Sequence, residues 1–152
     1  MFNVLFVCTE NTCRSPMAQT ILKHLLKEIK VKNVNVKSCG IMVNNFSKLS
    51  PNSRQVLNEM GFKIRHKPQQ ITQDLVNNAD LILTMTLEHK IDLSLKYDIL
   101  NKLFTFAEFT GGQDVIDPYG KSLNEYRLTG TIIYNNCVLL IRKLIKEGII
   151  NV

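Results

Sequence analysis

The stretch Val4-Leu5-Phe6-Val7-Cys8-Thr9-Glu10-Asn11-Thr12-Cys13-Arg14-Ser15-Pro16 decides how the rest of the chain is read. It opens as a short apolar run of the kind that forms a buried strand. It closes on Ser15-Pro16, which reads as a helix N-cap followed by proline at the first helical position. A loop that leaves a strand and enters a helix turns free backbone N–H groups toward one spot, with the positive end of the helix dipole behind it. Such a spot binds a tetrahedral oxyanion. A cysteine placed there, Cys8, has reason to be a thiolate near neutral pH. An arginine at the end of the loop, Arg14, can hold two oxyanion oxygens with its planar fork. Cys-x5-Arg alone is a weak signal; the strand before it and the helix start after it supply the specificity.

Working outward, strands and helices alternate, so the predicted fold is α/β. It is a small doubly wound four-stranded parallel sheet with helices on both faces. Strands are predicted at Asn3 to Val7, Val34 to Lys37, Leu81 to Thr84 and Leu103 to Phe106. Helices are predicted from Pro16 to Ile29, after Ser50-Pro51 with Gly61 as the stop, from Thr72 through Val76, after Thr86, and from the capping box Ser122-Leu123-Asn124-Glu125 to Lys146. A loop rich in Asn and Ser runs from Cys39 to Ser50. Ligands of such sheets bind beyond the carboxyl ends of the strands. Cys8 leaves the first strand there, and Asp117 follows the fourth, so both reach one rim. Asp117 precedes a proline, which is also an ordinary way to start a turn.

With 152 residues, 45% hydrophobic and 21% charged, the chain reads as one globular domain over 1–152. Nothing in it reads as a membrane span or a signal peptide. Four cysteines, one of which must stay reduced to act, fit a cytoplasmic setting rather than a disulfide scaffold. Cys8 and Cys13 have no second matching pair, so no metal is expected, nor any cofactor. The net charge of +6 arises from lysines without aromatic interleaving, which argues against nucleic-acid binding. Cys39 and Cys137 read as core residues, His24 and His89 as helix-surface residues, and Asp114 as a loop residue.

Val7 to Ser15 resembles the signature of the low-molecular-weight protein tyrosine phosphatases. The run Cys8-Thr9-Glu10-Asn11-Thr12-Cys13-Arg14-Ser15-Pro16-Met17-Ala18 is most similar to the bacterial branch that includes protein-arginine phosphatases. Asp117-Pro118-Tyr119 resembles the family's general-acid motif, Ser38-Cys39-Gly40 its Ser-Ala-Gly segment, and the stretch from Ala79 to Met85 also matches. The resemblance spans nearly the whole chain. It implies Cys8 as nucleophile, Arg14 as transition-state clamp and Asp117 as general acid, on a phosphate loop of Thr9, Glu10, Asn11, Thr12, Cys13, Arg14 and Ser15.

The same resemblance implies that Thr12, Phe46 and Tyr119 line the substrate pocket, with Asn44 and Asn45 beside Phe46. Ser15 would support the sulfur in addition to capping the helix. Ser38 and a histidine would hold Asn11, with His66 the candidate; His66 also reads as a surface residue among Lys63, Arg65 and Lys67. Oxidised Cys8 could pair with Cys13, which otherwise reads as a small side chain packed under the loop. The implied partners are a phosphorylated protein as substrate and inorganic phosphate as product, with a monomer as the default state.

Thr12 resembles the arginine phosphatases, whereas phosphotyrosine enzymes of the family carry an apolar residue there. Glu10 departs from the family's glycine. A left-handed backbone at that position would be strained by about 1–2 kcal/mol, and its carboxylate would repel a phosphate dianion or attract a guanidinium. Two other functions compete. One is a thiol-linked arsenate reductase, which needs further cysteines in mid-chain, where residues 40 to 136 have none. The other is a phosphoprotein-binding module silenced by Glu10.

Overall fold

A computed structural model describes all 152 residues. β1 (Phe2–Cys8) lies inside the sheet, flanked by β2 (Val34–Gly40) and β3 (Leu81–Thr84), and β4 (Leu103–Thr105) completes the order β2-β1-β3-β4. All pairings are parallel, so every strand ends on the same rim. The order reverses at β1, which puts the loop after β1 at the switch point of the sheet. The fold class is the predicted one.

Alternation along β1 sorts its side chains between two unequal cores. Val4, Phe6 and Cys8 face a cluster of 27 buried residues, built with α1 (Arg14–Glu28), α2 (Pro51–Glu59), α5 (Phe106–Thr110) and α6 (Leu123–Lys146). Leu5 and Val7 face a cluster of 10, closed by α3 (Gln73–Asn78) and α4 (Leu87–Lys96). Both faces of the sheet are therefore covered, as a parallel sheet requires. No helix is long and apolar enough to cross a membrane.

Several helix starts follow the residues that predict them. Ser50, Thr72 and Thr86 each accept the expected first-turn amide, a stabilisation of about 1 kcal/mol apiece. Four features differ from the sequence reading. Helix α1 begins at Arg14, not Pro16, and Ser15 is not its N-cap; the position belongs to Cys13, whose side chain makes no cap bond. The Ser15 hydroxyl is taken up inside the site, and Pro16 sits within the first turn, where a missing N–H costs nothing. Strand β2 continues to Gly40 because it stays in register with β1 as far as the Cys8–Gly40 pair.

Strand β4 ends at Thr105 instead of Phe106, since Thr105 and Glu108 form a reciprocal capping box that turns the chain into α5. Asp117 thus follows α5 rather than β4 directly. At Ser122 only half of the expected box forms: Ser122 accepts from Glu125 N–H, with no return bond from the Glu125 side chain.

Candidate active site

The loop between β1 and α1 is shaped from outside. Cys8 O accepts from Ile41 N–H at 3.0 Å, Thr9 O from Met42 N–H at 2.8 Å, and Thr12 O from Ser50 N–H at 2.8 Å. Asn11 O accepts from His66 Nε2–H at 2.7 Å. In a trans peptide the N–H points away from its own C=O. Four carbonyls drawn outward therefore turn the amides of Thr9, Glu10, Thr12 and Cys13 inward, and none of them donates to a backbone carbonyl. Peptide 10–11 runs the other way, with Asn11 N facing Gly40 and Asn11 at φ 58°. Asparagine tolerates that left-handed angle better than other non-glycine residues.

The Asn11 side chain, fully buried, locks this turn. Its Nδ2 donates to Ser15 Oγ at 2.8 Å and Ser38 Oγ at 2.9 Å, and its Oδ1 accepts from Gln69 N–H at 3.0 Å. Gly40 is required beside it. A Cβ there would lie 2.7 Å from Thr9 O and 2.8 Å from Asn11 N. Glu10 has no left-handed backbone angle, so the strain expected for a residue in place of glycine is absent, and its side chain is exposed.

Cys8 Sγ lies at the base of the inward amides, 3% exposed and 2.8 Å from Ser15 Oγ. Since Ser15 Oγ already accepts from Asn11, its own hydrogen is free for the sulfur or for Cys39 O at 3.4 Å. Arg14 closes the ring, almost fully buried. Its Nη1 donates to Val115 O at 3.1 Å and its Nη2 stands 3.6 Å from Asp117 Oδ2. The Asp117 side chain is half exposed, and its Oδ1 accepts from Tyr119 N–H at 3.1 Å, so Asp117 is a turn former as well as a pocket carboxylate. Asn136 of α6 clamps the arm that carries it, accepting from Gln113 N–H and donating to Gln113 O.

These groups surround a cavity of about 410 Å³ open to solvent. Thr9, Glu10, Thr12, Asn44, Phe46 and Tyr119 line it with Cys8, Arg14 and Asp117; Asn45 does not. Phe46 and Tyr119 stand on the mouth as exposed aromatic rings. Cys13 lies under the loop, and burial pushes its thiol up to about 12. A pocket of inward amides, a buried guanidinium, a thiol at its base and a carboxylate at its rim can hold a tetrahedral oxyanion, attack it, and supply a proton to what departs.

Sequence reasoning missed four groups here. Tyr126, from the first turn of α6, is buried against the cavity, and Ser50 and Lys48 also line it. His89 is not a surface residue: it is 7% exposed and bonded to Thr9 Oγ1. Its position was legible in principle, because the first turn of a helix that follows a buried strand sits on the same rim. His24 is half-buried and packs on Phe62, while Cys39 and Cys137 are in the core as expected.

This chain belongs to the low molecular weight phosphotyrosine protein phosphatase family, which matches residues 3–149. A protein-arginine-phosphatase of Bacillus subtilis is 37% identical over 130 residues, covering 84% of this chain and 86% of that protein. The low molecular weight protein-tyrosine-phosphatase PtpB of Staphylococcus aureus is 36% identical over 143 residues, covering 93% and 95%. Among solved structures, a YwlE arginine phosphatase mutant with a phosphorylated active-site serine superposes with a TM-score of 0.90 at 33% identity, covering 95% of this chain and 97% of that one.

Proposed function

We propose that this chain is a cysteine-dependent protein phosphatase that hydrolyses phosphorylated side chains, with phosphoarginine its preferred substrate and phosphotyrosine the alternative. The observation that carries the reading is the set of inward amides around Cys8 Sγ, closed by Arg14 and faced by Asp117. In the first step the Cys8 thiolate attacks phosphorus. A P–S bond forms as the P–N or P–O bond breaks, and Asp117 protonates the departing nitrogen or oxygen. In the second step Asp117 takes a proton from water, the oxygen attacks phosphorus, and the P–S bond breaks to release inorganic phosphate and the thiolate. Arg14 and the loop amides stabilise the equatorial oxygens, an effect of about 3–4 kcal/mol per donor where it has been tested. Ser15 donates to the sulfur, while Ser38 and His66 hold the loop through Asn11.

Two features support phosphoarginine. Thr12 and Thr9 place hydroxyls on a wall where an aryl group would prefer apolar contact, and Glu10 adds a carboxylate that attracts a guanidinium. The protein-arginine-phosphatase of Bacillus subtilis is similar across the same region. One chain carries every group the scheme uses, so a monomer suffices, and a reducing compartment such as the cytoplasm suits the free thiol. The arsenate reductase reading lacks its cysteines, since the chain has four and none lies between Cys39 and Cys137. The test is turnover of phosphoarginine and phosphotyrosine peptides side by side. Hydrolysis of the former in preference, abolished by Cys8→Ser, is the expected result. Phosphate binding without turnover of either peptide would overturn the enzyme reading in favour of a binding module.

A further inference from the structure

Lys63, Arg65 and Lys67 stand on the segment between α2 and α3 that holds the phosphate loop from behind. Burial alternates along it: Phe62 and Ile64 are buried and His66 half-buried, while Lys63, Arg65 and Lys67 are exposed. A period of two is the pattern of an extended chain, in which alternate side chains share a face about 6.6–7 Å apart. The inward side chains are anchored, Phe62 and Ile64 in the larger core and His66 on Asn11 O. The outward ones are free: none of the protein's salt bridges involves Lys63, Arg65 or Lys67.

The backbone of this stretch is unpaired as well. From Lys63 to Lys67 no N–H or C=O takes part in a backbone–backbone hydrogen bond, and Ile64 O alone is used, accepting from Arg54 Nη1 at 3.3 Å. Pro68, which has no N–H, ends the run, and Gln70 pairs with Gly40 beyond it. An extended chain with free main-chain groups is a template for one more strand. Its charges select the occupant. A second copy of the segment would set three cations against three, whereas an acidic strand sets carboxylates against them, and opposite charges across a strand pair attract while like charges repel.

The ledge ends beside the site without forming part of it. His66 and Gln69 hold Asn11. Gln70 Oε1 accepts from Val43 N–H at 2.8 Å and Gln70 Nε2 donates to Ile41 O at 2.6 Å, at the start of the segment whose Asn44 and Phe46 line the cavity.

We propose that Lys63 to Lys67 form a docking ledge for an extended acidic segment of a protein partner, which adds a strand to the free backbone and sets carboxylates at alternate positions against Lys63, Arg65 and Lys67. That this partner is the phosphoprotein substrate rests on the phosphatase reading above. Three exposed cross-strand ion pairs amount to about tenfold in affinity at low salt.

The experiment has two readouts on the whole protein. Fluorescence anisotropy measures binding of a labelled, unphosphorylated peptide with glutamate at alternate positions. It is compared with a peptide of the same composition whose glutamates form one block, and with the alternating peptide N-methylated along its backbone. Steady-state kinetics compares phosphopeptides, carrying whichever residue wild type hydrolyses, joined by a flexible linker of about ten residues to the alternating glutamate segment or to its glutamine counterpart. Both are run on wild type, on the ledge variant Lys63→Gln/Arg65→Gln/Lys67→Gln, and on Lys27→Gln/Lys32→Gln/Lys96→Gln, which removes the same charge elsewhere. The alternating peptide is expected to bind wild type about tenfold more tightly than the ledge variant. The blocked and N-methylated peptides bind more weakly, and the control variant stays within about twofold of wild type. The glutamate segment lowers KM and leaves kcat unchanged; the ledge variant loses that advantage but hydrolyses the unlinked phosphopeptide as wild type does.

Equal binding of the alternating and blocked peptides, or equal weakening in the two variants, would overturn the proposal, since a diffuse positive field acts that way. So would tighter binding of a single-stranded RNA of equal charge, which makes the partner a nucleic acid, or a linked segment that leaves KM unmoved. If wild type hydrolyses no phosphopeptide yet binds the alternating peptide through the ledge, the phosphatase reading fails and the docking ledge stands.

Discussion

Gly40→Ala is the sharpest perturbation of the loop, because it introduces one methyl at a known place. That carbon would sit 2.7 Å from Thr9 O, 2.7 Å from Val43 Cγ2 and 2.8 Å from Asn11 N. Val43 can rotate away. The two backbone atoms cannot, since Thr9 O is tied to Met42 N–H at 2.8 Å and Asn11 is locked through its side chain. Relieving the clash to a normal contact of about 3.4 Å moves the loop by roughly 0.6 Å relative to β2. Overpacking of this kind costs about 1–3 kcal/mol. Displacing the amides also misaims them, and a misplacement on this scale lowers kcat/KM by about ten- to a hundredfold.

The comparison is Gly130→Ala on α6, whose added carbon would meet Val56 Cγ1 of α2 at 2.7 Å, a side-chain clash away from the loop. Urea unfolding gives the stability change of each variant, and steady-state kinetics with phosphate inhibition gives the loop's competence. Both variants are expected to lose stability, with catalysis and phosphate affinity falling in Gly40→Ala alone. If Gly40→Ala unfolds more easily yet keeps its kinetic constants, the loop's geometry is not set by its packing on β2, and the reasoning fails.

Four further outcomes are expected. His66 and His89 are both held below the ordinary histidine range by burial, His89 at about 4. As pH falls from about 6.5 toward 4 the unfolded chain takes up protons the folded one refuses, so stability is lost across that window, by at most about 3 kcal/mol for His89. Urea melts at pH 7.5 and 5 measure this, and His89→Gln flattens the dependence. Asn136→Leu strands both backbone groups of Gln113, costing about 2–3 kcal/mol in unfolding, and slows kcat severalfold by loosening the Asp117 arm. Asn11→Ala removes three loop bonds at a left-handed position, and is expected to destabilise by about 3 kcal/mol and weaken phosphate inhibition. Glu10→Gly relieves no strain, so stability stays within about 0.5 kcal/mol, while phosphotyrosine turnover rises and depends less on salt once the rim carboxylate is gone.

Much of this architecture was readable from local pattern. Strands β1, β3 and β4 carry apolar runs, and Ser50, Thr72 and Thr86 are caps whose chemistry acts within a few residues. Ser15 shows where such reading stops. Ser-Pro is the usual start of a helix, but the hydroxyl that would cap it is bonded to Cys8 and Asn11, and only tertiary contacts decide that competition. Thr105 and Glu108 form a capping box that an apolar run through Phe106 conceals. His89 is the same lesson in reverse. On a helical wheel it is one polar residue among several, and its burial follows from β3 delivering the first turn of α4 against Thr9. Asn11 was legible for its turn, whereas the return contacts from Gln69 and His66 depend on a segment more than fifty residues away, whose path no local rule gives.

Because the phosphate loop is bolted from behind, through its carbonyls and the Asn11 amide, the geometry of its front owes little to the side chains that face the substrate. Under the proposed function, the backbone would read phosphate, which every substrate shares, and Thr9, Glu10 and Thr12, which line the cavity, would read whatever the phosphate is attached to. Recognition and chemistry are thus written on separable parts of one short segment. On that reading, a change at position 10 or 12 is expected to redirect the enzyme toward a different leaving group without rebuilding its anion cradle, which would make this scaffold a ready platform for retuning by very few substitutions.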